Sequence, residues 1–90
     1  MTSFEWDDKK RLSNIEKHKI DFILATQAFD DPSRLEWSSE NHGELRRITI
    51  GAIHGEIIIV ICVVWTKRDR KKRIISARRA SQSERKQYER

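Results

Sequence analysis

Residues 57–65 read Ile-Ile-Ile-Val-Ile-Cys-Val-Val-Trp, an unbroken apolar run dominated by β-branched side chains. Branching at Cβ stiffens χ1, which disfavours helix and suits the pleat of a strand. Successive side chains alternate along a strand, so Ile57, Ile59, Ile61, Val63 and Trp65 share one face and Ile58, Val60, Cys62 and Val64 the other. A strand apolar on both faces has to be covered on both, which predicts a central place in a sheet. The run is too short for a membrane helix, which takes about 20 apolar residues.

The remaining chain has to supply neighbouring strands and cover, and its 90 residues suffice for one domain, 1–90. Cys62 is the sole cysteine, which rules out an intrachain disulfide and a multi-cysteine zinc site. Inside the apolar strand it reads as a small core residue rather than a reactive thiol. The charged N-terminus lacks the apolar stretch of a signal peptide, so a cytoplasmic protein is expected.

Charge is segregated. Residues 66–90 hold eleven Lys/Arg against three Asp/Glu, whereas residues 1–65 hold eight against eleven. A basic third of this kind is the footprint of a polyanion-binding surface, nucleic acid foremost, or else a solvated face without a ligand.

Phe4 and Trp6 alternate with polar neighbours and predict a short edge strand. Asp7 or Asp8 caps a helix to about His18, with Leu12 and Ile15 on one face and the Lys9–Arg11 cluster opposite. Asp21 caps a second short helix with Phe22, Ala25, Ala28 and Phe29 as its buried stripe, and Asp30–Asp31–Pro32 ends it. Leu35 and Trp37 mark a second strand, 39–43 a polar loop, and Leu45 to Ala52 a third strand joined to the central one around His54–Gly55. A charged turn from Lys67 to Lys71 precedes a last strand, Arg73 to Ala77. Ser81 and Glu84 form a capping-box signature for a final helix to about Glu89. The fold class is therefore α+β, in the order β-α-α-β-β-β-β-α, with an antiparallel sheet and two N-terminal helices packed on one face. The short C-terminal helix carries little apolar surface, so part of the second face is expected to stay open as a partner site.

Several pieces, in order, resemble the BrnT family. They are Phe4–Glu5–Trp6–Asp7, Lys17–His18, Phe29–Asp30–Asp31–Pro32, Glu44 and Arg46 leading to Ile50–Gly51, the run Arg73 to Ala80, and Glu84 to Tyr88. The resemblance implies a RelE-like fold and a ribonuclease toxin of a type II toxin–antitoxin system, cutting RNA without metal or cofactor and inhibiting translation. It further implies a BrnA-like antitoxin as partner and contact with operator DNA only through that antitoxin. No membrane association is expected. Lys67 stands where many members carry an acidic residue, and Lys19 where a glycine often follows Lys-His. A chain weakened by the first change would serve instead as an RNA-binding or corepressor subunit.

Metal-independent RNA cleavage uses the 2′-hydroxyl as nucleophile. It needs a base for that proton, cations for the phosphorane and an acid for the leaving 5′-oxygen. Arg78, ending the last strand, is the first candidate for the phosphate clamp, with a salt bridge to Glu44 or Glu84 as its structural alternative. Arg46 either clamps phosphate or pairs with Glu44. His18 is the natural acid or base, because an unperturbed imidazole changes charge near neutral pH, with stabilisation as a cation by the helix dipole as its structural alternative. Tyr88 donates a proton or stacks a base. Arg68, Arg70, Arg73, Arg79 and Lys17 are the expected RNA-binding cations, with Lys71 and Lys72 adding a diffuse field. His42 and His54 read as solvated, and no histidine or carboxylate spacing signals a metal site.

Overall fold

The computed structural model describes residues 3–41 and 43–90. Strand β1 (Ser3–Glu5) is followed by helices α1 (Asp8–His18) and α2 (Phe22–Ala25), and α2 tightens into a 3-10 segment, Thr26–Asp30. Strands β2 (Leu35–Asn41), β3 (Glu44–His54), β4 (Ile58–Arg68) and β5 (Lys71–Arg79) follow, then helix α3 (Gln82–Tyr88). They form one five-stranded sheet in the order β1-β5-β4-β3-β2, so the apolar run of β4 occupies the centre. Three hairpin-linked pairs are antiparallel. The expected antiparallel sheet has one exception, because β1 lies parallel to β5. The chain leaves β1 through two helices rather than a tight turn, and that crossover frees it to dock on the β5 edge in either direction.

The strands outrun their expected limits. Ser39 to Asn41 continue β2 instead of opening a loop, because the hairpin with β3 pairs Ser39 with Arg46 and Asn41 with Glu44. His42, part of that predicted loop, lies outside the described residues. The charged turn contracts to Asp69 and Arg70, with Lys67 and Arg68 in β4 and Lys71 in β5. Asp69 adopts φ 54°, a left-handed conformation that aspartate tolerates better than most side chains.

α1, α2 and the 3-10 segment cover one face of the sheet. Phe22, Ala25, Ala28, Ile53, Ile61, Val63, Trp65, Ile74 and Ala77 form the core between them. Fully burying a large aliphatic or aromatic side chain contributes about 1.5–3 kcal/mol, so Phe22, Ile61, Val63 and Ile74 dominate this layer. Phe29 stacks edge-on against Trp65, with ring centroids 5.5 Å apart, and ties the 3-10 segment to β4. α3 crosses the opposite face, where Ile50 and Cys62 are also buried. Burial pushes the Cys62 thiol up to about 11, consistent with a core side chain.

The helix signals are local and hold. Asp7 accepts the Lys9 N–H at 2.8 Å, and Asp21 accepts that of Ile23 at 3.0 Å. Ser81 and Glu84 complete both hydrogen bonds of a capping box. Lys19 closes α1 at φ 61°, the left-handed C-terminal position that glycine usually fills. The expected apolar stripe of α1 holds only in part, with Ile15 half-buried. Leu12 is 62% exposed, and Asn14 is the buried residue of that helix.

Candidate functional site

At the end of the helix-covered face, beyond the 3-10 segment, the sheet opens into a cleft of about 590 Å³. Arg47, Lys67, Arg70, Lys71 and Lys72 line it, with Trp65, Trp37, Ser38 and Glu36. Register explains the gathering: Glu36 pairs with Thr49, Arg47 with Trp65 and Lys67 with Lys72, placing all six side chains on one face of four adjacent strands. Trp65 forms the floor. Lys72 Nζ sits 4.2 Å from its ring centroid and the Arg47 guanidinium 5.8 Å, so cations flank one indole.

A bulge decides which basic residue of β5 reaches this cleft. Val64 pairs with Ser76 and Trp65 with Ile74, leaving Ile75 as the extra residue. An extra residue inverts the alternation beyond it. Lys72 consequently faces the cleft, while Arg73 emerges on the opposite face and pairs with Glu5 at 2.7 Å.

Glu36 is held by the floor. The Trp65 indole N–H donates to Thr49 Oγ1 at 2.9 Å, and that hydroxyl donates to Glu36 Oε2 at 3.0 Å. Arg34 Nε donates to the other carboxylate oxygen at 3.2 Å. The Lys72 ammonium is pulled below its ordinary value, first by burial and then by the charges of Arg47, Arg34 and Lys67, while Glu36 opposes that shift.

The residues singled out in the sequence are dispersed. Arg78 lies on the α3 face beside Cys62 and makes a bidentate pair with Glu84, at 2.8 and 3.0 Å. Its salt-bridge alternative is thus realised, with Glu84 rather than Glu44. Glu44 instead approaches Arg46 at 3.9 Å, and the Arg46 Nε is buried without a partner among the described residues. His18 and Lys17 line a shallow hollow between α1 and β5, with Ser13 and Ser76. The Tyr88 hydroxyl donates to the Asp31 carboxylate, and that bond lifts it to about 12, which makes it a weak proton donor. Arg68 is exposed at the end of β4, and Arg79 lies beside Ile57 to Val60. Of all these, Arg70 alone lines the basic cleft. Sequence reasoning missed Glu36 and Arg47 as site residues and treated Lys72 as diffuse charge. The signal for Glu36 and Arg47, alternation along β2 and β3, becomes useful only once register is known, and that for Lys72 only once the β5 bulge is known.

Among the described residues no group of three His, Cys, Asp or Glu side chains gathers where it could hold a metal ion. No helix among them is long and apolar enough to cross a membrane.

The sequence model of one protein family, described as the ribonuclease toxin BrnT of a type II toxin–antitoxin system, matches residues 6–84. The chain belongs to the BrnT family. The crystal structure of the Brucella abortus ribonuclease toxin BrnT is similar to it at a TM-score of 0.71 and 31% identity, covering 91% of this chain and 100% of that one. A comparison with curated proteins gives no match. The BrnT fold and the α+β order expected from the sequence are both met.

Two ion pairs make this BrnT domain acid-sensitive. Arg78 holds the Glu84 carboxyl down at about 2 from its ordinary 4.5, and Arg11 holds Asp21 at about 2 from 3.8. Because both values are depressed by folding, the stability they contribute is present above pH 4.5 and lost as pH falls towards 2. Thermal melts should therefore show Tm falling steeply below about pH 4. A Glu84→Gln variant should start lower at neutral pH and lose less on acidification. Parallel pH profiles for the two proteins would contradict the assignment.

Proposed function

We propose that this BrnT chain is an endoribonuclease that cuts RNA without a metal ion, holding the backbone in the basic cleft over Trp65. The observation that carries this reading is the convergence of Arg47, Lys67, Arg70, Lys71 and Lys72 on one cleft with Glu36, the single carboxylate lining it among the described residues. Clustered cations neutralise the phosphate backbone and stabilise the charge that builds on phosphorus as the 2′-oxygen attacks. Arg47 is the best-placed clamp, because its planar guanidinium donates in pairs and keeps its charge. Arg78, with both terminal nitrogens engaged by Glu84, holds α3 on the sheet.

In the cell a BrnA-like antitoxin covers the cleft with acidic groups, and the pair reaches operator DNA through the antitoxin. RNA cleavage then inhibits translation in the cytoplasm whenever the toxin is released. Net positive charge segregated in residues 66–90 supports a partner of this kind.

The test is cleavage of total RNA in EDTA by the antitoxin-free chain, with Arg47→Ala and Arg78→Ala beside it. The parent should cut. Arg47→Ala should cut about 10- to 100-fold more slowly, the worth of one charge-assisted hydrogen bond. Arg78→Ala should melt at a lower temperature and, where folded, still cut. Loss of cleavage in a fully folded Arg78→Ala, with Arg47→Ala unaffected, would move the site to the α3 face. RNA bound by the parent but left intact would favour the RNA-binding or corepressor reading.

A further inference from the structure

We propose that Glu36 and Lys72 are the proton acceptor and donor of the cleavage reaction, poised over the Trp65 floor from opposite edges of the cleft. The inference rests on the ribonuclease reading and adds to it the two groups that move protons.

Among the described residues, Glu36 is the only acidic one lining the cleft. Each of its oxygens accepts one hydrogen bond, from Thr49 and from Arg34, and retains lone-pair capacity for a further proton. The direction of the Thr49 bond is fixed. Indole N–H is a donor only, so Thr49 Oγ1 accepts from Trp65 and has its own proton left to give to Glu36. Trp65 and Thr49 are both buried, at 4% and 0% exposure, which makes this relay a rigid support rather than a surface contact. Thr49 and Trp65 are thereby positioning residues, acting through Glu36.

Lys72 occupies the other edge, with its ammonium above the rings of Trp65 and Phe29. Burial, with the charges of Arg47, Arg34 and Lys67, outweighs the opposing charge of Glu36, so this ammonium gives up a proton more readily than an exposed lysine. The neighbouring arginines keep theirs and serve as fixed charge.

The step balances with these two groups alone. The Glu36 carboxylate takes the 2′-hydroxyl proton as the 2′-oxygen forms a bond to phosphorus. The bond from phosphorus to the 5′-oxygen breaks, and Lys72 protonates the departing oxygen. The products are a 2′,3′-cyclic phosphate and a 5′-hydroxyl, with Glu36 protonated and Lys72 neutral. Proton exchange with water restores both.

The experiment is the pH–rate profile for cleavage of a short oligoribonucleotide in EDTA, with RNA affinity measured separately by fluorescence anisotropy. Circular dichroism monitors folding of each variant. Glu36→Gln keeps the shape and the Thr49 hydrogen bond. It should lower the rate about 100-fold or more, the ordinary size of a general-base contribution, with RNA bound as tightly as before. The acidic limb of the profile should vanish with it, and Glu36→Asp should restore part of the rate together with that limb. Lys72→Arg keeps the charge but cannot release a proton, so it should bind normally and cut slowly. A substrate with sulfur in place of the bridging 5′-oxygen needs no protonation to leave and should recover most of the rate of that variant. Glu36→Gln cutting within about tenfold of the parent, or Lys72→Arg gaining nothing from the sulfur substrate, would overturn the assignment of that residue while leaving the ribonuclease reading intact. A folded parent that cuts no RNA would remove that reading, and this inference with it.

Discussion

Replacing Gly51 with alanine is expected to destabilise the domain by about 3 kcal/mol, the upper part of the range for overpacking a well-filled interior. The strand β3 passes directly under the 3-10 segment here. A Cβ on Gly51 would lie 2.6 Å from the Ala28 carbonyl oxygen and 3.1 Å from the Ala28 Cβ. The first contact is with backbone, so relief requires the whole segment to lift from the sheet. That segment carries Phe29, which packs on Trp65 beneath the cleft. For a domain of this size each kcal/mol shifts Tm by about 4–8 °C, so the melt should move by more than about 10 °C. A Tm within a degree or two of the parent would mean that the 3-10 segment rides more loosely on β3 than its geometry indicates.

Asn14→Leu is expected to cost at least as much, although leucine has the same side-chain branching as asparagine and suits a helix better. The Asn14 Nδ2 donates to the carbonyls of Ile20 and Ala77, at 2.9 and 2.8 Å, and its Oδ1 accepts the Ala77 N–H at 3.1 Å. β1 pairs with β5 only from Lys71 to Arg73, so among the described residues no strand lies beside the edge of β5 at Ala77. The Asn14 carboxamide stands in for that strand. With Ala77 fully buried, an apolar side chain leaves its N–H and C=O without a partner or water, at about 1–3 kcal/mol for each unsatisfied group. Urea denaturation should show the midpoint falling by more than a third with the slope unchanged. An unchanged midpoint would mean that water replaces the carboxamide.

The same device recurs at the other side of the sheet. β3 runs past the start of β2, and its free N–H groups at Ala52 and His54 are taken by Asp31 Oδ2 at 2.8 Å and by Gln27 Oε1 at 3.1 Å. Asp31 also receives the Tyr88 hydroxyl, so one carboxylate finishes a strand edge and anchors α3. Side chains that complete a sheet edge leave no periodic mark. Nothing in the local sequence around Asn14 or Asp31 therefore marks this role.

What the sequence determined by itself is everything short-ranged. The β-branched run of residues 57–65 demanded cover on both faces, and as the central strand it receives that cover over residues 59–65, whereas Ile57, ahead of β4, and Ile58 at its start stay exposed. Asp7, Asp21 and the Ser81–Glu84 pair marked helix starts because a cap satisfies amides within three residues of itself. The family resemblance likewise followed from motifs contiguous in the chain. The tertiary structure alone decided where the charges go. Side-chain direction along a strand depends on register, and a single bulge between Val64 and Trp65 inverts it for the rest of β5. Regular alternation from Ala77 would have sent Arg73 into the cleft and Lys72 away from it. The bulge exchanges them, and pairing across four strands then brings Arg47, Glu36 and Thr49 alongside. Residues distant in the chain share a site because hydrogen-bonded strands bring them together, and no local pattern encodes that partnership.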